Sequence, residues 1–116
     1  MPDNKKYRYF KLKENFFDND VIADLESQKD GYLYVNILLK LYLKSVKNGG
    51  RLALNGIIPY SAEMISALTR HQVGTVERAL NMFEALGLIE VLDSGIIYMK
   101  SPETMEAGKE AIKSGE

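Results

Sequence analysis

The chain has 116 residues, of which 46% are hydrophobic and 27% are charged. These values are ordinary for one globular domain, so they exclude a largely disordered chain, and the length is too short for two separate cores. The absence of Cys excludes a disulfide framework and a thiolate metal site, and no apolar run reaches the length of a membrane span. We therefore expect a cytoplasmic protein with no membrane partner.

The charge of the chain is small but unevenly distributed. A net charge of −1 and an isoelectric point of about 5.9 exclude a protein that coats nucleic acid indiscriminately. Residues 1–13 carry five basic side chains and one acidic one, whereas residues 14–30 carry six acidic side chains and one basic one. A phosphate-facing surface is therefore expected to use the N-terminal arm, with Lys5, Lys6 and Arg8, although the pattern also suits an ordinary solvated surface.

The first predicted elements are a strand and a short helix. Residues 7–12 mix aromatic and basic side chains in the manner of a strand. Asp18 is the expected N-cap of a helix that continues through Val21, Ile22 and Leu25.

A longer helix is predicted over residues 32–46, because nearly every position there is apolar. The polar exceptions lie three or four residues apart and form one narrow stripe, consisting of Asn36, Lys40, Lys44 and, just beyond, Lys47. The helix is therefore expected to be buried on most sides, with a core that includes Tyr34, Ile37, Leu38, Leu41 and Tyr42.

The segment Asn48-Gly49-Gly50 is expected to end this helix. Lys44 and Lys47 then lie near the negative end of the helix dipole, which favours them whether or not they touch a ligand.

A helix-turn-helix is predicted in the second half of the chain. Arg51 to Leu54 is a short strand, after which Ser61 can cap a helix carrying Met64, Ile65 and Leu68. Residues 69–74 form a polar turn before the second helix.

The second helix of this motif is predicted over residues 75–86, where apolar residues recur at helical spacing. Gly87 is expected just past its end, at a position that tolerates positive φ. Four side chains are predicted to face outward, namely Thr75, Arg78, Asn81 and Met82. Residues 88–92 and 96–99, joined by the turn Asp93-Ser94-Gly95, are typical of a hairpin, which would form the wing. The short strand Arg51 to Leu54 is expected to pair with this wing.

This order of elements predicts an α+β fold, a winged helix-turn-helix with an N-terminal strand and helical extension, over residues 1–100. Residues 101–116 are interpreted as a polar tail, or as the start of a linker to a C-terminal domain that this chain does not contain. The part from Glu103 to Glu116 is expected to be a weak helix or a tether.

The sequence offers little for catalysis or metal binding. His71 is the only His, so neither a His-based triad nor a multi-His metal site can form. Asp18-Asn19-Asp20 resembles the opening of a calcium loop, but Ala23 and Lys29 stand where that loop needs Gly and Glu. We expect no enzyme activity, no cofactor and no bound metal.

Recognition of another macromolecule remains. A helix placed in the major groove of double-stranded DNA would offer side chains that can hydrogen-bond base edges or phosphates, here Gln72, Thr75, Arg78 and Asn81. Lys100, beside the wing, would contact phosphates. Glu77 and Glu84 weaken this hypothesis because they repel phosphates, and many winged helices bind proteins instead.

Four stretches carry a family resemblance: residues 9–18 (YFKLKENFFD), 38–41 (LLKL), 45–52 (SVKNGGRL) and 75–90. Over about residues 7–100 the chain resembles the N-terminal domain of phage replisome organiser proteins. Those domains are relatives of the N-terminal domains of DnaD-like primosomal proteins and of some Gram-positive plasmid replication initiators. The first stretch is the specific one, because Lys-Leu-Lys followed by an acidic residue and Phe-Phe-Asp is uncommon in other winged helices.

The resemblance implies sequence-specific binding of a replication origin during initiation of phage or plasmid-type DNA replication. It also implies a C-terminal region, absent here, that engages replication proteins such as the helicase-loading machinery, and a homodimer or higher homo-oligomer. Two alternatives stay open: an oligomerisation module of a DnaD-like primosomal protein, and a transcriptional repressor.

Overall fold

A computed structural model describes residues 6–100 and 105–111 of the chain, with side chains described for residues 8–100. Within these ranges lie four α-helices, six strands and two short 3₁₀ helices. In chain order they are β1 (Lys6–Leu12), a 3₁₀ helix (Phe16–Asp18), α1 (Asp20–Ser27), α2 (Gly31–Ser45), a 3₁₀ helix (Val46–Asn48), β2 (Arg51–Leu54), β3 (Ile58–Pro59), α3 (Ala62–Thr69), α4 (Val73–Ala85), β4 (Ile89–Val91), β5 (Ile97–Met99) and β6 (Met105–Ala111).

Helix α2 is the centre of the fold, because it packs against α1, α4 and β2. All five of its predicted core residues are buried, which confirms the assignment. Two apolar side chains of α2, Tyr32 and Leu43, are exposed, so the solvent-facing side of the helix is wider than the predicted polar stripe.

Helix α1 starts one residue later than the sequence suggested. Asn19 is its N-cap, and the side-chain oxygen of Asn19 accepts hydrogen bonds from the backbone N–H groups of Val21 and Ile22. Asp18, the predicted cap, instead ends the preceding 3₁₀ helix. A Cβ atom at Gly31 would lie 2.2 Å from the carbonyl oxygen of Glu26, so the close packing of α2 on the end of α1 requires glycine there.

The helix-turn-helix is formed by α3 and α4. Ser61 caps α3 as predicted, since its hydroxyl accepts from the Met64 N–H. Gly87 follows α4 with φ of 77°. The N–H groups of Leu88 and Gly87 bond the carbonyls of Phe83 and Glu84 at 2.8 and 3.1 Å, which is the Schellman arrangement and turns the chain directly into β4.

The main sheet has four antiparallel strands in the order β3-β2-β5-β4. The hairpin β4–β5 is the predicted wing, and β2 pairs with β5 as expected. The buried Tyr42 hydroxyl donates to the Lys100 carbonyl at 2.7 Å and ties the end of the wing to α2. Burial raises the pKa of this phenol above its usual range.

A separate two-stranded ribbon, formed by β1 and β6, lies outside that sheet. The expectation of a weak helix or tether after Lys100 is therefore wrong for Met105–Ala111, which pair along the whole length of β1. The ribbon packs against the core through Phe10, whose ring centroid lies 5.3 Å from the ring centroid of Tyr42. A lone two-stranded ribbon is marginal in water, so this contact helps to hold it.

The molecule is thus an α+β protein with a winged-helix-like arrangement of helices and sheet. In the described ranges, every helix is too short or too polar to cross a membrane.

Candidate nucleic-acid interface

The outward side of α4 carries two of the predicted base-reading side chains next to each other. Arg78 and Asn81 are both exposed and lie three residues apart, so they point from neighbouring turns of the helix. Gln72 is exposed at the N-cap position, where its side chain makes no capping hydrogen bond. We call the surface formed by Gln72, Arg78 and Asn81 the recognition face.

The structure does not add Thr75 to this face. Thr75 is only 7% exposed, and the prediction that it faces outward is wrong. It lies four residues before Ala79 and so joins the apolar stripe that packs inward. Its hydroxyl oxygen accepts a hydrogen bond from Arg78 Nη2 at 3.4 Å, so Thr75 orients the arginine. Met82 is likewise half-buried against the core.

The surroundings of the recognition face are acidic. Between residues 61 and 100 three basic residues stand against five acidic ones. Glu77 and Glu84 are exposed on α4. Lys100, predicted to contact phosphates, has its ammonium 3.8 Å from a carboxylate oxygen of Glu90, and both side chains are about half exposed. Such an exposed pair adds little stability, but it places a negative charge beside the lysine.

The polar stripe of α2 meets the turn between α3 and α4. Lys40 Nζ donates to the Thr69 carbonyl at 2.7 Å, at the C-terminal end of α3. One turn earlier, the Asn36 side-chain oxygen lies 2.8 Å from His71 Nε2. Desolvation, followed by the charge of Lys40, lowers the pKa of His71. These contacts brace the helix-turn-helix against the core helix.

A second polar surface, which the sequence did not predict, lies at the C-terminal end of α2. Arg8 from β1, Lys44 from α2 and Lys47 from the following 3₁₀ helix line a cleft of about 320 Å³ together with Leu43 and Val46. We call it the cationic cleft. None of its three cationic groups makes a hydrogen bond or ion pair with a described side chain or described backbone atom.

Arg8 therefore lies in the cationic cleft and not on the recognition face. Apart from its pairing with β6, strand β1 packs on α2 and on the 3₁₀ helix after it, which brings Arg8 next to Lys44 and Lys47. Lys5 lies outside the described residues, and for Lys6 only the backbone, at the start of β1, is described. The sequence contains one indication of this cationic surface: residues 31–60 include four basic residues and no acidic one.

Apolar side chains are exposed on a third surface, around the turn from β2 to β3. Ile57 is 76% exposed, and Leu54 and Ile58 are also exposed. Beside them lies a shallow apolar depression of about 250 Å³, lined by Leu54, Tyr60, Met64, Ala67 and Leu68. Met64 and Leu68 are thus only partly buried, and of the three apolar residues predicted for α3 only Ile65 is fully in the core.

Over the described residues, no three His, Asp or Glu side chains are grouped as a metal site requires. The family model described as N-terminal phage replisome organiser matches residues 9–114. No curated protein and no solved structure matches the chain. The matched region continues past Lys100 and includes β6, beyond the limit of about residue 100 that the four sequence stretches suggested.

Proposed function

The chain belongs to the N-terminal phage replisome organiser family, which has a role in phage DNA replication, and on this basis we propose that it binds double-stranded origin DNA sequence-specifically. In this proposal α4 enters the major groove, and the protein acts as a non-catalytic binding domain that brings the replication machinery to the origin.

The observation that carries the proposal is the pairing of Arg78 with Asn81 on the exposed side of α4. An arginine can bind the O6 and N7 atoms of guanine with two hydrogen bonds, and an asparagine can do the same with the N6 and N7 atoms of adenine. Thr75 supports the arginine from the first turn of the helix. The second helix of a helix-turn-helix, here followed by a wing, is the usual element that contacts base edges in the major groove.

The acidic surroundings favour selectivity over general affinity. Phosphate attraction supplies most non-specific binding, and Glu77 and Glu84 oppose it on this face. Binding through α4 would then depend on base contacts, which form only on the correct sequence.

The test uses origin DNA of the replicon that encodes this chain, located by footprinting. Arg78→Ala and Asn81→Ala should each weaken binding to the protected site by about 1 to 3 kcal/mol and binding to random duplex much less. Glu84→Ala, on the same helix, is the control and should not weaken binding. Specific binding that survives both alanines would refute reading by α4.

A second candidate, homo-oligomerisation of a DnaD-like module, is supported by the exposed apolar surface around Ile57 and Ile58. A contiguous exposed apolar patch is typical of a protein interface. In this candidate a second copy covers the patch, and DNA contacts lie elsewhere in the replication protein.

Sedimentation distinguishes the two candidates. Ile57→Lys should reduce the dimer fraction if the patch is the interface, whereas Val91→Lys, which changes an exposed apolar residue of the wing, serves as the matched control. Equal sedimentation of the wild type and Ile57→Lys would remove this candidate.

A further inference from the structure

From the cationic cleft we infer a second nucleic-acid contact: Arg8, Lys44 and Lys47 bind neighbouring phosphodiester groups of the DNA backbone. The inference takes the identity of its ligand from the proposed function but uses none of the residues of the recognition face.

The first argument is the convergence of three cations from three separate elements. Arg8 lies on β1, Lys44 on α2 and Lys47 on the 3₁₀ helix that follows, yet all three line one cleft. Like charges repel, and the described side chains supply no carboxylate to offset them. A bound phosphate would supply that negative charge, since arginine and lysine form short charge-assisted hydrogen bonds to phosphate oxygens.

The helix dipole explains only part of this arrangement. It favours Lys44 and Lys47 near the C-terminal end of α2, but it gives no reason for Arg8, which belongs to a strand. The dipole would also oppose an anion there. It amounts to roughly half a negative charge, however, against three full positive charges, so the cleft as a whole attracts anions.

The shape of the surface favours a chain of phosphates over an isolated anion. Lys47 also borders a neighbouring depression of about 270 Å³, lined further by Asn48, Asn55 and Tyr60. Lys47 is therefore shared by the cationic cleft and by a depression that also holds two amide groups, a tyrosine ring and the apolar side chains of Ala53 and Leu54. A cationic track followed by hydrogen-bonding and aromatic groups is the combination that holds a nucleic-acid strand.

The apolar lining agrees with this ligand. Leu43 is 55% exposed and lines the cleft beside Val46. Such side chains can pack on the sugar of a nucleotide while the cationic groups reach its phosphate.

The experiment measures binding of fluorescent DNA by anisotropy between about 50 and 200 mM KCl. The slope of log K against log [salt] counts phosphate contacts, because each contact adds about 0.9 to its magnitude for duplex and about 0.7 for a single strand. Lys44→Gln combined with Lys47→Gln should lower the slope on random duplex by about 1.8. Arg8→Gln should lower it further, and is preferable to deletion of residues 1–8, which would remove part of β1.

The matched control combines Lys13→Gln with Lys29→Gln, which removes the same charge from two exposed positions outside the cleft. The control should keep the wild-type slope. A random duplex and a single strand of equal length are both used, and the probe that loses more binding identifies the form of DNA that the cleft holds. Circular dichroism checks that all variants melt like the wild type.

Three results would overturn the inference. The first is that the cleft variants keep the same salt slope as the control. The second is that amide chemical-shift changes on DNA binding do not include residues 43–48. The third is that the wild-type protein binds neither DNA probe but binds a poly-glutamate peptide, and that the cleft variants lose affinity for this peptide. Failure of the proposed function is recognised separately, because Arg78→Ala would then leave binding to the protected site unchanged while the cleft variants still reduce the salt slope.

Discussion

The recognition face and the cationic cleft use polar side chains in opposite ways. On α4 a single arginine, braced by the buried Thr75, stands next to Asn81 among exposed carboxylates, so attraction to any phosphate is weak. In the cleft, three cations converge and the described side chains offer no carboxylate to them. Base contacts specify and phosphate contacts position. In the proposed function, specificity and general affinity are therefore assigned to different parts of this small domain.

Helix α2 joins the two regions, because its Lys40 and Asn36 contact the helix-turn-helix while its Lys44 lines the cleft. The largest expected effect is therefore a loss of stability caused by a cavity beside α2. Leu38→Ala should lower the free energy of unfolding by about 2 to 5 kcal/mol, since Leu38 is fully buried.

Urea denaturation measures this loss, and Leu43→Ala on the exposed side of the same helix is the control, expected to change stability little. A Leu38→Ala midpoint close to that of the wild type would contradict the central position of α2.

A double-mutant cycle tests whether the two regions act separately. Arg78→Ala should cost about 1 to 3 kcal/mol on the specific site, and Lys47→Gln should cost a salt-dependent amount. If the regions are independent, the double variant should equal the sum to within about 0.5 kcal/mol. Titration of the four proteins against one DNA site measures the coupling energy. A larger value would show that the two regions act as one interface.

The carboxylates beside the recognition face offer a gain-of-binding test. Glu77→Gln removes a repulsive charge, so binding to random duplex should tighten by roughly 0.2 to 1 kcal/mol, the usual worth of an exposed charge interaction. Glu26→Gln on α1 removes the same charge far along the chain and should have a smaller effect. Equal gains from both variants would mean that net charge, and not the position of Glu77, controls the affinity.

The smallest expected effect concerns His71, where the core helix meets the turn of the helix-turn-helix. Its pKa is lowered in the folded protein by desolvation and by Lys40. The unfolded chain therefore takes up the proton more readily, and the free energy of unfolding should fall as the pH drops through about 6.5. His71→Gln should remove this part of the pH dependence, as measured by thermal melts from neutral to mildly acidic pH. Parallel pH profiles for wild type and variant would show that His71 does not contribute.

Sequence patterns by themselves determined most of the fold. The apolar periodicity of α2 and α4, the Ser61 cap and Gly87 are local signals with direct physical causes, and each of them holds in the structure. The hairpin of the wing was predictable for the same reason, since turn residues and alternating side chains act over a few positions. Its pairing with β2, which joins Arg51 to Tyr98, was expected only from the usual arrangement of a winged helix.

Only the tertiary structure decided the matters that depend on distant contacts. Thr75 is polar, and its burial follows from where α4 begins and packs. Strand β6 is polar and has no strong local preference, so its pairing with β1 was decided by a partner nearly a whole chain length away. The cationic cleft draws on residues separated by more than thirty positions. Local propensity cannot encode such long-range contacts, because they form only after the core has brought the elements together.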